Sequence, residues 1–248
     1  MDINGCVALV TGAPGGIGRV FVAELLKRGA VKIYVGARDS ASLADLMKDD
    51  DKRLIPMALD VTDAATVTRA AAEAPDVTLL VNNAGYASFQ GAIAAHDLTA
   101  ARREMDVNYF GPLALTRAFR PILAAGGGGA VVNMLSMAAL VSLPVTGTYS
   151  ASKAAFLSVT RSIRAELAAQ GTAVVGVLAV QTESAIGARL PPPRMIPAEV
   201  VADVLDAVQA GLSEEIVAGA QTKAAYQAFT ADPKGFQAKM STRLPQTT

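Results

Sequence analysis

The 248 residues carry 22 basic and 22 acidic side chains, so the net charge is zero, and no long run of either sign breaks the balance. That argues against nucleic acid or an anionic membrane as the main partner and leaves a small molecule as the expected ligand. Hydrophobic residues make up 52% and charged residues 18%; the most apolar stretch, around 130–147, is interrupted by Asn133, Ser136, Ser142 and Pro144, which excludes a spanning helix there.

The opening MDINGCVALVTG lacks a basic leader and passes straight into a strand-like run, which predicts no signal peptide and a cytoplasmic location. Cys6, the sole cysteine, lies inside that run and is read as core filler. Seven β-branched runs, near 7–11, 31–37, 53–58, 77–81, 130–135, 173–179 and 214–218, alternate with Ala-rich helical patterns. Runs such as Val77-Thr78-Leu79-Leu80-Val81 fit burial on both faces, so the predicted fold is α/β, a doubly wound parallel sheet with helices on both sides. One domain over 1–248 is expected, with 180–197 as a loop of the kind that covers a site and 221–248 as a docked tail broken near Asp232-Pro233.

Between the first strand and first helix stands TGAPGGIG, with Gly12, Gly16 and Gly18 spaced as TGxxxGxG. Glycines there permit positive φ and close approach of backbone to a pyrophosphate, which the helix N-terminus stabilises. The second strand ends at Ala37, where NAD sites usually carry an acidic side chain, and Arg38 follows; a guanidinium suits the extra phosphate of NADP. NADP(H) is therefore preferred, with NAD(H) still open, because Asp39 can pair with Arg38 and leave it an ordinary surface role. His96 is read as an exposed loop residue, Gly126–Gly129 as the turn before the fifth strand, and no metal-ligand spacing occurs. Tyr149 and Lys153, in TYSASKAAF, share one helix face by their spacing, while Ala155, Phe156 and Val159 pack.

Taken together, Thr11-Gly12 with Gly16 and Gly18, Asp60-Val61, Asn82-Asn83-Ala84-Gly85, Asn108, Ser136, and Tyr149 with Lys153 resemble the classical short-chain dehydrogenase/reductase family. The resemblance implies a Rossmann-like sheet and a homodimer or homotetramer. It implies a catalytic tetrad of Asn108, Ser136, Tyr149 and Lys153, and a cofactor site of Gly12, Gly16, Ile17, Gly18, Arg38, Asp60, Val61, Asn83, Ala84, Gly85, Tyr149, Lys153 and Ser184. After the sixth strand the family's PGxxxT is replaced by Ala179, Val180 and Ser184, with Ser184 standing in for the threonine hydroxyl.

The residues give the same chemistry a physical basis. A tyrosine near pKa 10 is too weak an acid for ready exchange at neutral pH, and the Lys153 ammonium is expected to lower it. Ser136, at the carboxyl end of a strand, can donate to a developing alkoxide. Pro112 cannot donate to the Asn108 carbonyl four residues earlier, which frees that oxygen for a water relaying protons from Lys153. Met137, Leu140, Val141, Val180, Ile186 and Leu190 are expected to make an apolar pocket, with Arg189 available to an anionic group. The expected activity is NADP(H)-dependent interconversion of a ketone or aldehyde and its alcohol, a secondary one from a ketone, on a largely apolar substrate. An NAD-dependent alcohol dehydrogenase working oxidatively and a catalytically silent nucleotide sensor are the alternatives.

Overall fold

The computed structural model describes residues 1–50 and 52–245. Its strands are β1 (Val7–Thr11), β2 (Lys32–Ala37), β3 (Leu54–Ala58), β4 (Leu79–Asn82), β5 (Ala130–Met134), β6 (Ala173–Leu178) and β7 (Glu215–Val217). All seven pair in parallel in one sheet of order β3-β2-β1-β4-β5-β6-β7. The chain lays β1 to β3 outward in one direction and then returns to place β4 on the other side of β1. That reversal opens a crevice at the carboxyl ends of β1 and β4.

Around the sheet lie α1 (Gly16–Lys27), α2 (Ala64–Glu73), α3 (Thr99–Met105), α4 (Gly111–Ala125), α5 (Gly147–Ala168), α6 (Pro197–Gln209), α7 (Ala220–Ala231) and α8 (Pro233–Met240). Alternate strand residues serve opposite faces. Val10, Val81 and Val132 meet Phe21 and Leu25 of α1 and Val204 of α6, whereas Leu9, Leu80 and Val131 meet Leu115 and Phe119 of α4 and Leu167 of α5. This two-sided burial is the physical reason the strands read as continuous apolar runs. Among the described residues no helix is long and apolar enough to cross a membrane.

Helix starts follow local chemistry. The Asp63 carboxylate accepts the Ala65 N–H at 2.9 Å at the head of α2. Asp63→Ala is expected to cost about 1 kcal/mol, lowering Tm by about 2–4 °C in a thermal melt. The missing donor at Pro112 is accommodated by widening: Asp106–Phe110 form a π-turn, with the Gly111 N–H donating to the Asp106 carbonyl five residues back, and α4 restarts with Pro112 in its first turn. The break expected in the tail falls at Asp232, whose carboxylate caps α8 through the Gly235 N–H at 2.9 Å.

Candidate active site

The glycine turn leaves β1 and is fastened to the end of β4. Thr11 Oγ1 accepts the N–H groups of Asn83 and Ala84 at 2.9 and 3.0 Å, and Asn83 Nδ2 donates to the Thr11 carbonyl at 2.9 Å. Gly18 lies so close to this junction that a Cβ would overlap the Gly12 carbonyl oxygen and stand 2.9 Å from Asn83 Nδ2. A Cβ on Gly16 would stand 2.7 Å from the Glu183 carbonyl oxygen, so the absence of side chains lets the post-β6 loop close over the turn. The resulting cleft, about 720 Å³, is lined by Gly12, Gly16, Ile17, Arg38, Asp60, Val61, Asn83, Ala84, Gly85 and Ser184. Gly18, packed beneath the turn, does not line it. A glycine-lined groove at a helix N-terminus, ending at a guanidinium, fits a dinucleotide phosphate chain.

Arg38 is exposed, and among the described residues no Arg38–Asp39 ion pair forms. Asp39 instead accepts the Ala41 N–H at 2.9 Å, capping the short 3₁₀ turn Ser40–Leu43. Asp60 is likewise engaged locally, accepting from the N–H and hydroxyl of Thr62 at 2.9 and 2.8 Å.

The second cavity, about 360 Å³, shares Ile17, Asn83, Gly85, Ser184 and Ile186 with the first, so the two are continuous. Ser136, Tyr149 and Lys153 line it. Ser136 leaves the end of β5 in extended conformation; its hydroxyl accepts the Ala138 N–H at 3.1 Å and donates to the Ala179 carbonyl at 3.3 Å. Lys153 is buried, donates to the Met134 carbonyl at 2.8 Å, and its Nζ lies 5.8 Å from the centre of the Tyr149 ring.

The electrostatic balance of this pair differs from the sequence expectation. Burial pushes the Tyr149 phenol up to about 12; a hydrogen bond with Ser136 pulls downward, and the Glu104 carboxylate adds to the rise. Burial draws the Lys153 ammonium down to about 8. Loss of solvation thus dominates at both residues, and both groups move toward their neutral forms.

Asn108, fully buried, faces neither cavity. Its amide oxygen accepts the Tyr86 N–H at 2.9 Å, and its nitrogen donates to the Tyr86 carbonyl and Ser152 Oγ at 2.8 and 2.9 Å. Ser152 in turn donates to the Tyr149 carbonyl at 2.7 Å, so Asn108 ties the post-β4 segment to the helix bearing Tyr149. One turn earlier stands Glu104, absent from the sequence reading: fully buried, it accepts the N–H and hydroxyl of Ser88 at 2.8 and 2.9 Å, and its second oxygen has no partner among the described residues. An acidic residue four positions before Asn108 was the only available signal.

Met137, Val141, Val180, Ile186 and Leu190 line the second cavity as expected. Leu140 does not; it packs with Leu157 and Phe156. Arg189 is also elsewhere, donating to the Ser88 carbonyl at 3.1 Å with its guanidinium 4.5 Å above the Phe89 ring. Ser184 keeps its place between the cavities, but its hydroxyl donates to the Thr182 carbonyl and accepts the Gly187 N–H, both at 3.1 Å, bracing its own loop. His96 is fully exposed.

Residues 6–193 match the family model described as short chain dehydrogenase. The chain belongs to the short-chain dehydrogenase family. A short chain dehydrogenase of Burkholderia cenocepacia, solved in complex with NADP, is 42% identical, superposes with a TM-score of 0.89, and the match covers 97% of this chain and 99% of that one. The cis-4-hydroxycyclohexanecarboxylate dehydrogenase of Sinomonas cyclohexanicum is 33% identical over 190 residues, 75% of this chain and 76% of that protein. A short chain dehydrogenase of Monascus ruber is 32% identical over 188 residues, 71% of this chain, but the match spans only 62% of that relative's length. Short-chain dehydrogenases are oxidoreductases; the glycine cleft lies within the residues the family model covers, whereas the Tyr149 cavity is completed by Gln221, Ala225, Phe236, Met240 and Arg243 beyond them.

Proposed function

We propose that this short-chain dehydrogenase is an NADP(H)-dependent oxidoreductase that interconverts a ketone or aldehyde and the corresponding alcohol, a secondary one from a ketone, on a largely apolar substrate. The observation that carries the reading is the continuity of the glycine-turn cleft with an apolar cavity lined by Ser136, Tyr149 and Lys153. A bound nicotinamide dinucleotide would supply the hydride, held by Gly12, Gly16, Ile17, Asn83 to Gly85 and Ser184, with Asp60 and Val61 toward the adenine and Gly18 supporting the turn. Tyr149, kept protonated by burial, delivers a proton from Oη to the carbonyl oxygen, and Ser136 donates a hydrogen bond to the same oxygen as charge grows there. The Lys153 ammonium stabilises the phenolate left behind. Asn108 acts through its main-chain oxygen as the outlet of the proton relay, its side chain being committed to Tyr86 and Ser152.

Arg38, which forms no ion pair among the described residues, and the NADP complex of the Burkholderia relative support NADP(H) as the cofactor. The ring-borne secondary alcohol in the name of the Sinomonas relative supports the alcohol–ketone couple. Oxidation of NADPH and NADH by the purified protein against a panel of ketones tests the reading, and no turnover with any carbonyl would overturn it. Arg38→Ala is expected to raise KM for NADPH about tenfold while leaving KM for NADH within about twofold, the loss of one charge-assisted contact. A cytoplasmic homo-oligomer of single-domain subunits completes the proposal.

A further inference from the structure

The substrate cavity has an electrostatic signature that its apolar walls conceal. Among the described residues its charged lining side chains are Lys153 and Arg243, with no aspartate or glutamate. Lys153 is committed to the Met134 carbonyl beside Tyr149. The guanidiniums of the covering loop are committed too: Arg189 to Ser88 and Phe89, and Arg194 to the carbonyls of Gly187, Ala188 and Leu190. The Arg243 guanidinium makes no hydrogen bond or ion pair among the described residues.

Arg243 is also held in place. Phe236, Met240 and Arg243 follow one another at helical spacing, so α8 and the turn after it present a single face to the cavity. Gln237 fastens that helix by donating to the Ser142 carbonyl at 2.9 Å and accepting the Ser142 N–H at 3.0 Å. Three residues on, the Val145 N–H donates to the Arg243 carbonyl at 3.0 Å. The backbone carrying Arg243 is therefore pinned to the segment whose Leu143 also lines the cavity.

We infer that the substrate is a keto acid or hydroxy acid, with an apolar body in the cavity and a carboxylate, remote from the reacting carbon, bound by Arg243. The inference rests on the carbonyl–alcohol reading above. A planar guanidinium matches one carboxylate in two parallel hydrogen bonds, and a net positive cavity without acidic side chains favours such an anion over a neutral analogue. In reduction the ketone carbon takes the hydride of the dinucleotide and its oxygen the Tyr149 proton, while the carboxylate is unchanged.

The test compares levulinate and an alicyclic cyclohexanone carboxylate with their methyl esters in NADPH oxidation by the wild type, Arg243→Gln and Arg243→Lys. The acids are expected to exceed the esters about tenfold or more in kcat/KM, mainly through KM. Arg243→Gln should bring that ratio close to one, and Arg243→Lys should keep part of it. Equal use of acid and ester by the wild type, or a ratio untouched by Arg243→Gln, overturns the inference while leaving the reductase reading standing. If neither acids nor esters are reduced, the ketone panel decides the reductase reading, and calorimetry with the unreactive cyclohexanecarboxylate in the presence of NADP decides the carboxylate site. Binding weakened about tenfold by Arg243→Gln supports the site, and binding absent or unaffected overturns it.

Discussion

Tyr149→Phe is expected to cut turnover by about a thousandfold with little change in NADPH affinity, because the substitution removes one proton donor and leaves the ring in place. Stopped-flow or steady-state NADPH oxidation against the best ketone, with cofactor binding measured separately, checks this; turnover retained within tenfold would remove Tyr149 as the acid. The pH profile of the unaltered protein carries a linked expectation. Lys153, drawn down to about 8, loses its charge as pH rises through that value, whereas Tyr149, pushed up to about 12, keeps its proton there. The rate of reduction should therefore fall above about pH 8, reporting the ammonium and not the phenol. The stability consequences have opposite signs. Between about 8 and 10.5 the unfolded chain binds the Lys153 proton more tightly, so rising pH favours folding; between 10 and about 12 the folded chain holds the Tyr149 proton more tightly, so rising pH disfavours it.

Gly18→Ala is expected to weaken NADPH binding by at least about tenfold and to lower Tm by several degrees. A Cβ at this position overlaps the Gly12 carbonyl oxygen and crowds Asn83 Nδ2, the groups that fasten the glycine turn to β4. Overpacking of this kind costs about 1–3 kcal/mol, and backbone on both sides gives the turn little room to relax. Fluorescence titration with NADPH beside a thermal melt separates the two effects. Unchanged affinity and unchanged Tm together would show that the turn tolerates a methyl group and that its glycines serve another purpose.

The strands were legible because burial on both faces writes itself into each of them. Residues such as Leu9 and Val10, or Leu80 and Val81, serve opposite cores, so apolar side chains are required at successive positions. The glycine turn was legible for a related reason. Close backbone approach excludes side chains, and that exclusion appears directly as Gly12, Gly16 and Gly18. Tyr149 and Lys153 could be placed on one face because helix geometry fixes the relation of residues four apart.

Contacts between distant segments left no such mark. Arg189 lies in the expected loop, yet its choice of Ser88 and Phe89 over the cavity depends on how that loop meets the post-β4 segment. The burial that reverses the expected shift of Tyr149 comes from surroundings assembled across the fold. Glu104, fully enclosed four residues before Asn108, could not be told from a surface carboxylate until α3 was packed.

Local spacing, and burial that repeats along an element, wrote the alternation of strands and helices, the glycine turn and the shared face of Tyr149 and Lys153 into the sequence. Tertiary packing was needed to bring the C-terminal tail against the cavity that holds Tyr149 and to place Arg243, rather than Arg189, along its wall. Side chains separated by tens of residues meet through the geometry of the whole chain, and no local pattern encodes which of two similar cations arrives.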